Sequence, residues 1–344
     1  MTRFPPRRYE GTIQAQRKKL PWPEGKPFRI LSIDGGGICG ILPAAILSEL
    51  EQRYLGGQSV NRHFDLIAGT STGGIIALGL GRGLRSRDAL DLYMEEGARI
   101  FPSGNAADRF FRRVRHTFRY IHDEKILNEK LRNAFGDHLF GDSVARLVIP
   151  SFEGCHGEPW IYKTPHHPDY RKDRHEQMVN VARATSAAPS YYPSFEHNAY
   201  SYVDGGIWAN NPVMNAIVDV LACFELDRRQ IRVLSLGCGE SIVRVTPHMR
   251  RAGLIGWRQA IKAAISAQSK NALGQAYLLL GKDNITRLDA PESSREIALD
   301  DYARASTELP PMARSLVEAA GHHIRGVFLS DEVVQYRPVV EAAA

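Results

Sequence analysis

The sequence predicts an α/β fold built on a mainly parallel central sheet with helices packed outside it. Three observations predict it. From Phe28 onward, short β-prone runs alternate with stretches of helical periodicity, the order expected of strands each followed by a covering helix. Most strand candidates are continuous apolar runs, as strands buried on both faces must be. Two glycine-rich turns, "DGGGICG" at 34–40 and "GTSTGG" at 69–74, each join a strand candidate to a helix candidate, which puts both at the carboxyl edge of a parallel sheet.

In chain order, the strand candidates are "RILSI" (29–33), "FDLIAG" (64–69), "RLVIPSF" (146–152), "WIYKT" (160–164), "SYVDG" (201–205) and "IRVLSLG" (231–237). Between the first two, "ILPAAILSELEQRY" repeats Ile41, Leu42, Ala45, Ile46 and Leu50 at helical spacing, an amphipathic helix. "NNPVMNAIVDVLACF" offers Asn211 as a helix cap and Pro212 at the first helical position, where a missing N–H costs nothing. Residues 257–280 read as a long helix. The stretch 290–344 has weak periodicity and receives no assignment.

Composition narrows the classes. The 344 residues are 43% hydrophobic and 24% charged, ordinary for a globular protein with a large core. A formal charge of +6 favours anionic surfaces without choosing among lipid, nucleotide and nucleic acid. Cys39, Cys155, Cys223 and Cys238 form no C-x-x-C pair, which argues against a zinc site or disulfide framework and for a reducing cytosol. The basic, proline-rich first 27 residues lack the apolar core of a signal peptide and read as a surface arm. No apolar run approaches the ~20 residues needed to cross a bilayer, so membrane contact is expected to be peripheral.

The first glycine loop admits two chemistries. Gly35, Gly37 and Gly40 match G-x-G-x-x-G, the pattern of a dinucleotide-binding turn. Asp34 would oppose a pyrophosphate there, however. The acid expected at the end of the next strand to hold a ribose is also missing, since Asp65 stands at that strand's beginning. The alternative is that the loop's N–H groups stabilise the oxyanion formed when a carbonyl is attacked. That reading needs a nucleophile, and the second loop contains G-x-S-x-G as Gly69, Ser71 and Gly73, with the serine on a sharp strand-to-helix turn. No lysine follows as a phosphate-binding P-loop would require.

A serine hydroxyl needs a base. Among 12 histidines, His248, His322 and His323 fall late enough for a Ser, acid, His order, but none has a distinctive local setting. Asp204 in "YVDGGIWANNP" ends a β-prone run and precedes Gly205 and Gly206, which allow close approach of other segments. Desolvation that raises its pKa would let it accept the Ser71 proton directly.

Together "DGGGICG", "GTSTGG", "ARATSAAPSYYPSF", "VDGGIWANNP" and "VLSLGCG", spanning about 29–240 in this order, resemble the patatin-like phospholipase family. The resemblance implies a three-layer patatin-like fold with helices on both faces of the sheet. The expected organisation is a single such domain over 28–344, with a helical extension from about 257. It implies Ser71 as nucleophile, Asp204 as its partner without a histidine, and Gly35, Gly36 and Gly37 as the oxyanion hole. The chemistry implied is release of fatty acid from phospholipid through an acyl-enzyme, with no metal or organic cofactor. Where the family usually has arginine in the glycine loop this chain has Cys39, which removes any guanidinium assistance from that position.

In its compact size and its "RILSIDGGG" to "LPAAIL" opening, the chain also resembles bacterial patatin-type effectors of cyclic-nucleotide-triggered antiphage defence. The expected partners are therefore membrane phospholipid as substrate, a cyclic nucleotide activator, and a second copy of the chain in a homo-oligomer. A nucleic-acid polymer is not expected. The expected location is the cytoplasm, peripheral at the inner membrane when active. "RFFRRVRHTFR" (109–119) interleaves three phenylalanines with five arginines and reads equally as a membrane-surface helix or as a cap packed on the core. A dinucleotide-binding oxidoreductase and a catalytically inert patatin-fold interaction protein are the alternative classes.

Overall fold

The computed structural model describes residues 5–7, 17–100, 124–189, 191–239, 260–291 and 295–339. The basic stretch 109–119 and His248 lie outside them. A small parallel pair joins β1 (Leu20–Pro21) to β8 (Phe224–Glu225). The central sheet holds β2 (Phe28–Ile33), β3 (Leu66–Gly69), β4 (Arg146–Glu153), β5 (Glu158–Lys163), β6 (Phe195–His197), β7 (Tyr200–Asp204), β9 (Ile231–Leu236) and β10 (Ile285–Leu288). Its order is β10-β9-β2-β3-β4-β7-β6, with β5 paired to β4. From β10 to β4 every pairing is parallel; β5, β7 and β6 add antiparallel pairings at one side.

The apolar strands are continuous because both faces are covered. On β2, Leu31 and Ile33 enter one core with α1 (Ile41–Tyr54), α2 (Thr72–Gly81), α3 (Ser86–Ile100), α4 (Glu124–Phe135) and α5 (Met178–Ser186). Phe28 and Ile30 enter the other, with α7 (Val213–Cys223) and α8 (Ala260–Leu280). A short α6 (Gly206–Ala209) follows β7. The layers are those expected, a sheet between two helical faces.

One feature of the register places the site. β5 occupies one edge of β4 along Val148–Glu153. On the opposite edge β3 runs parallel to Arg146–Val148, while β7 runs antiparallel along Ser151–Glu153, with Asp204 opposite Ser151. The carboxyl ends of β3 and β7 therefore meet head to head beside Ile149 and Pro150.

Two sequence expectations change. Helix α7 starts at Val213 with Pro212 as the cap position, one residue later than expected; Asn211 still caps it, its side-chain oxygen accepting from the Val213 N–H at 3.1 Å. The unassigned stretch 290–344 contains α9 (Tyr302–Phe328), capped by the Asp301 side chain, which accepts from the Arg304 N–H. Pro310 and Pro311 inside it lack the N–H of the usual helical ladder and obscure the pattern. Its buried stripe of Ala305, Leu309, Ala313, Val317, Ile324 and Phe328 nevertheless joins the core containing α1. Among the described residues no helix is long and apolar enough to cross a membrane.

Phe328 is fully buried and stacks on Phe64 with ring centroids 5.8 Å apart. Phe328→Ala should cost about 3–5 kcal/mol of unfolding free energy in urea titration; a loss under about 1 kcal/mol would show that α9 adds little to the core.

Candidate active site

Ser71 sits between β3 and α2 with φ 54° and ψ −122°, a left-handed conformation that costs a side-chain-bearing residue strain. The turn closes because its neighbours are glycine. A Cβ at Gly69 would stand 2.1 Å from the Gly73 carbonyl oxygen, and one at Gly73 would stand 2.3 Å from the Ile33 carbonyl oxygen. The strain aims the hydroxyl across the gap between β3 and β7, where Ser71 Oγ donates to Asp204 Oδ2 at 2.6 Å.

Asp204 is 4% exposed. Its other oxygen, Oδ1, accepts the Gly206 N–H at 2.7 Å. Burial raises its pKa to about 6, against the opposing pull of the Ser71 hydroxyl and the Gly206 amide. A carboxylate of that strength, touching a hydroxyl and shielded from water, is suited to take a proton near neutral pH.

Thr185, at the end of α5, binds both halves together. Its Oγ1 accepts the Ser71 N–H at 3.0 Å and donates to the Pro150 carbonyl at 2.5 Å. Its backbone carbonyl and that of Ala187 accept the N–H groups of Gly205 and Asp204. One short segment thus holds the serine turn, the strand beneath it and the acid loop. Sequence reasoning placed this stretch only within a family pattern and gave Thr185 no role.

The first glycine loop lies along the same turn, its Gly37 carbonyl accepting from the Thr72 hydroxyl at 2.7 Å. Two more of its carbonyls are engaged: Asp34 O by the Cys238 thiol at 3.2 Å, and Gly36 O by the Cys39 N–H at 3.0 Å. The N–H groups of Gly36 and Gly37 have no backbone acceptor among the described residues. Gly35 differs, because its N–H donates to the Asn210 carbonyl at 3.0 Å and is spent there. Glycine is needed at 35 for space, since a Cβ would meet Asn210 Oδ1 at 2.6 Å and Ser71 Cβ at 3.2 Å.

The loop is anchored from residues that carried no sequence signal. Arg287 on β10 donates to Asp34 Oδ2 at 2.7 Å, Asp289 Oδ2 at 2.6 Å and Ser235 Oγ at 2.8 Å. Burial opposes the charge on Arg287, but the two carboxylates outweigh it and its pKa is raised. Asp289 also accepts the Gly239 N–H, fixing the turn whose Cys238 packs on Gly36. The Ile38 N–H donates to the Leu299 carbonyl, so the segment before α9 covers the loop's far side. Cys39 is buried beneath it, and burial pushes its thiol pKa up to about 12, which keeps it neutral and unreactive.

His322 and His323 are exposed on α9; the first packs on the Tyr54 ring and the second meets Thr286 Oγ1 at 3.1 Å. Both belong to the helix surface. His166, Asp219 and Cys223 bring potential metal-ligand atoms within 4.8 Å of one another. The Asp219 oxygens, however, are already occupied by His166 at 2.7 Å, Lys163 at 2.6 Å and the Tyr170 hydroxyl at 2.5 Å. Burial pushes the Cys223 thiol up to about 11, so a cation would have to displace Lys163 and strip a reluctant proton. This cluster is a buried polar network tying α7 to β5.

The patatin-like phospholipase pattern matches residues 31–217. A cGAMP-activated phospholipase of Vibrio cholerae serotype O1 is 31% identical over 308 residues, covering 81% of this chain and 86% of the relative. A cGAMP-activated phospholipase of Pseudomonas aeruginosa is 30% identical over 316 residues, covering 90% and 91%. Patatin-like protein 2 of Arabidopsis thaliana is 36% identical over 223 residues, covering 57% and 53%. With the family pattern over more than half its length and relatives alike almost end to end, the chain belongs to the patatin-like phospholipases, which makes it a lipid-hydrolysing enzyme.

Proposed function

We propose that Ser71 and Asp204 form the catalytic dyad of this phospholipase. The observation that carries the reading is the 2.6 Å hydrogen bond from Ser71 Oγ to a buried carboxylate. Ser71 Oγ attacks the ester carbonyl carbon of a phospholipid acyl chain as its proton passes to Asp204 Oδ2. The Gly36 and Gly37 N–H groups receive the oxyanion, a role from which Gly35 is excluded by its bond to Asn210. Collapse of the intermediate expels the lysolipid alkoxide, which takes the proton back from Asp204. Water then enters, gives a proton to the same carboxylate as it attacks the acyl carbon, and the fatty acid leaves as Ser71 Oγ takes that proton back.

Activation by a cyclic nucleotide is part of the proposal, supported by two relatives described as cGAMP-activated and matched over most of their length. The substrate lies in a bilayer and no described helix crosses one, so the enzyme meets the membrane from its surface. Defence by membrane degradation is the biological role this combination supports.

Ser71→Ala should abolish both lipid hydrolysis and labelling by a fluorophosphonate; labelling elsewhere with activity retained would overturn the dyad. Turnover should rise with pH through about 6 as Asp204 ionises. Its native pKa lies above the ordinary 3.8, so Asp204 increasingly disfavours the native state as pH climbs between those values and fully above them. Asp204→Asn is therefore expected to be inactive yet no less stable than wild type at pH 8, checked by thermal melting. A Cβ at Gly36 would stand 2.3 Å from Cys238 Cβ. Gly36→Val should accordingly lower kcat by ~10²-fold or more. Thr185→Val, which strands the Ser71 N–H and the Pro150 carbonyl, should cost about 1–3 kcal/mol, with Thr185→Ser restoring most of it.

A further inference from the structure

We infer that a pocket at the end of the sheet opposite Ser71, lined by Arg62, Arg85 and Arg146, binds a phosphodiester anion of the cyclic-dinucleotide class and transmits its occupancy to the dyad. The inference rests on the reading of this enzyme as nucleotide-activated and adds to it where the nucleotide sits. The cavity measures about 580 Å³, within the roughly 300–1,000 Å³ of small-molecule sites. Its three guanidinium groups face one lining carboxylate, that of Glu332.

The arginines are available to an anion. Arg62 and Arg85 have side chains 55% and 58% exposed, and their partners Glu332 (2.9 Å) and Asp88 (3.1 Å) are solvent-facing as well. Such pairs are held weakly and exchange readily for a phosphate. Arg146 lies deeper, its guanidinium over the rings of Tyr336 at 5.2 Å and Phe224 at 5.5 Å. Its NH1 donates to the Asp65 carbonyl at 3.1 Å, while its buried Nε has no hydrogen-bond partner among the described residues. Burial disfavours the Arg146 charge and nearby Asp65 compensates only in part, so an anion in the pocket supplies what is missing. Val144 and Val334, two large apolar side chains left exposed, also line the cavity. Apolar and guanidinium surfaces side by side suit the faces of a purine base as well as its phosphate.

The pocket adjoins the elements that set the dyad. Arg146 opens β4, which runs to Pro150 and Ser151 beside Asp204. Phe64 and Asp65 lead into β3, which ends two residues before Ser71. Helix α2 starts directly after Ser71 and ends at Gly81, a rod roughly 15 Å long. Its last carbonyls are held by the pocket wall: Asn61 Nδ2 donates to Leu80 O at 2.8 Å, and Val144 N to Gly81 O at 2.7 Å. A ligand that draws the three arginines together therefore pulls on β3, β4 and α2 at once, and these carry the displacement to the serine turn.

The test uses the full chain with wild-type residues, with Arg62→Glu plus Arg85→Glu, and with Arg62→Lys plus Arg85→Lys, each first compared by thermal melting. Calorimetric titration with cyclic GMP–AMP and nucleotide-stimulated phospholipid hydrolysis are read in parallel. The double glutamate variant should bind about 100-fold more weakly or worse and lose stimulation, while the lysine variant keeps most of both. If all three are stimulated alike, the pocket assignment is wrong and nucleotide activation stands. If the wild type ignores the nucleotide but binds phosphatidylglycerol vesicles through Arg62 and Arg85, the phosphate chemistry holds and the cyclic dinucleotide falls. If it binds neither, the pocket fails, leaving the dyad to be judged by Ser71 labelling.

Discussion

A carboxylate held out of water, with a serine hydroxyl brought within 2.6 Å of it, is the constraint on which the centre of this fold depends. The two groups come from strands that do not pair with each other. They meet because β3 and β7 share one edge of β4 from opposite directions and stop a residue or two apart. That gap in the sheet is where backbone pairing ends and the proposed chemistry has room. Thr185 spans it, supplying partners to backbone groups that the interrupted ladder leaves unsatisfied.

The second requirement is the glycine loop proposed to receive the oxyanion, and much of its support lies far along the chain. Cys238, Asn210, Arg287 and Leu299 each take up one contact of residues 34–38, closing off carbonyls, N–H groups or charge that would otherwise disorder it. Arg287 neutralises Asp34, the same charge that counted against a pyrophosphate in the sequence. Position 39, where the family resemblance leads one to expect arginine, holds a buried, neutral thiol, while a guanidinium reaches the base of the loop from β10. Arg287, Asp289 and Leu299 are thus part of the site's framework.

The proposed dyad sets limits on stability at this centre. Ser71 keeps a strained backbone, and Asp204 keeps a charge that burial disfavours. Both are tolerated because a sheet covered on each face, with α1 and α9 packed into one core, holds the surroundings rigid.

Much of this was legible in the sequence, because local rules wrote it. Continuous apolar runs declared strands covered on both faces, and the periodicity of residues 41–54 marked α1 to the residue. Glycines at 69 and 73 announced a sharp turn around Ser71, since a larger side chain at either would collide with backbone. Helix α9 escaped notice because two prolines interrupt the local signal that its buried stripe otherwise gives.

What only the tertiary structure decided was partnership. The sequence by itself determined where strands, helices and a strained serine turn must form, because backbone preference and burial pattern act over a few residues. It offered Asp204 as a reasonable base, but the contact with Ser71 spans 133 positions and arises only when both strands find the same edge of β4. The same holds for Gly35, whose N–H the sequence left free to donate and the Asn210 carbonyl occupies. It holds equally for Arg287, 253 positions from Asp34, whose salt bridge exists because β9 pairs with both strands and sets β10 one strand away from β2. Which donor remains open and which charge is neutralised depend on packing between distant segments, and no local pattern encodes that.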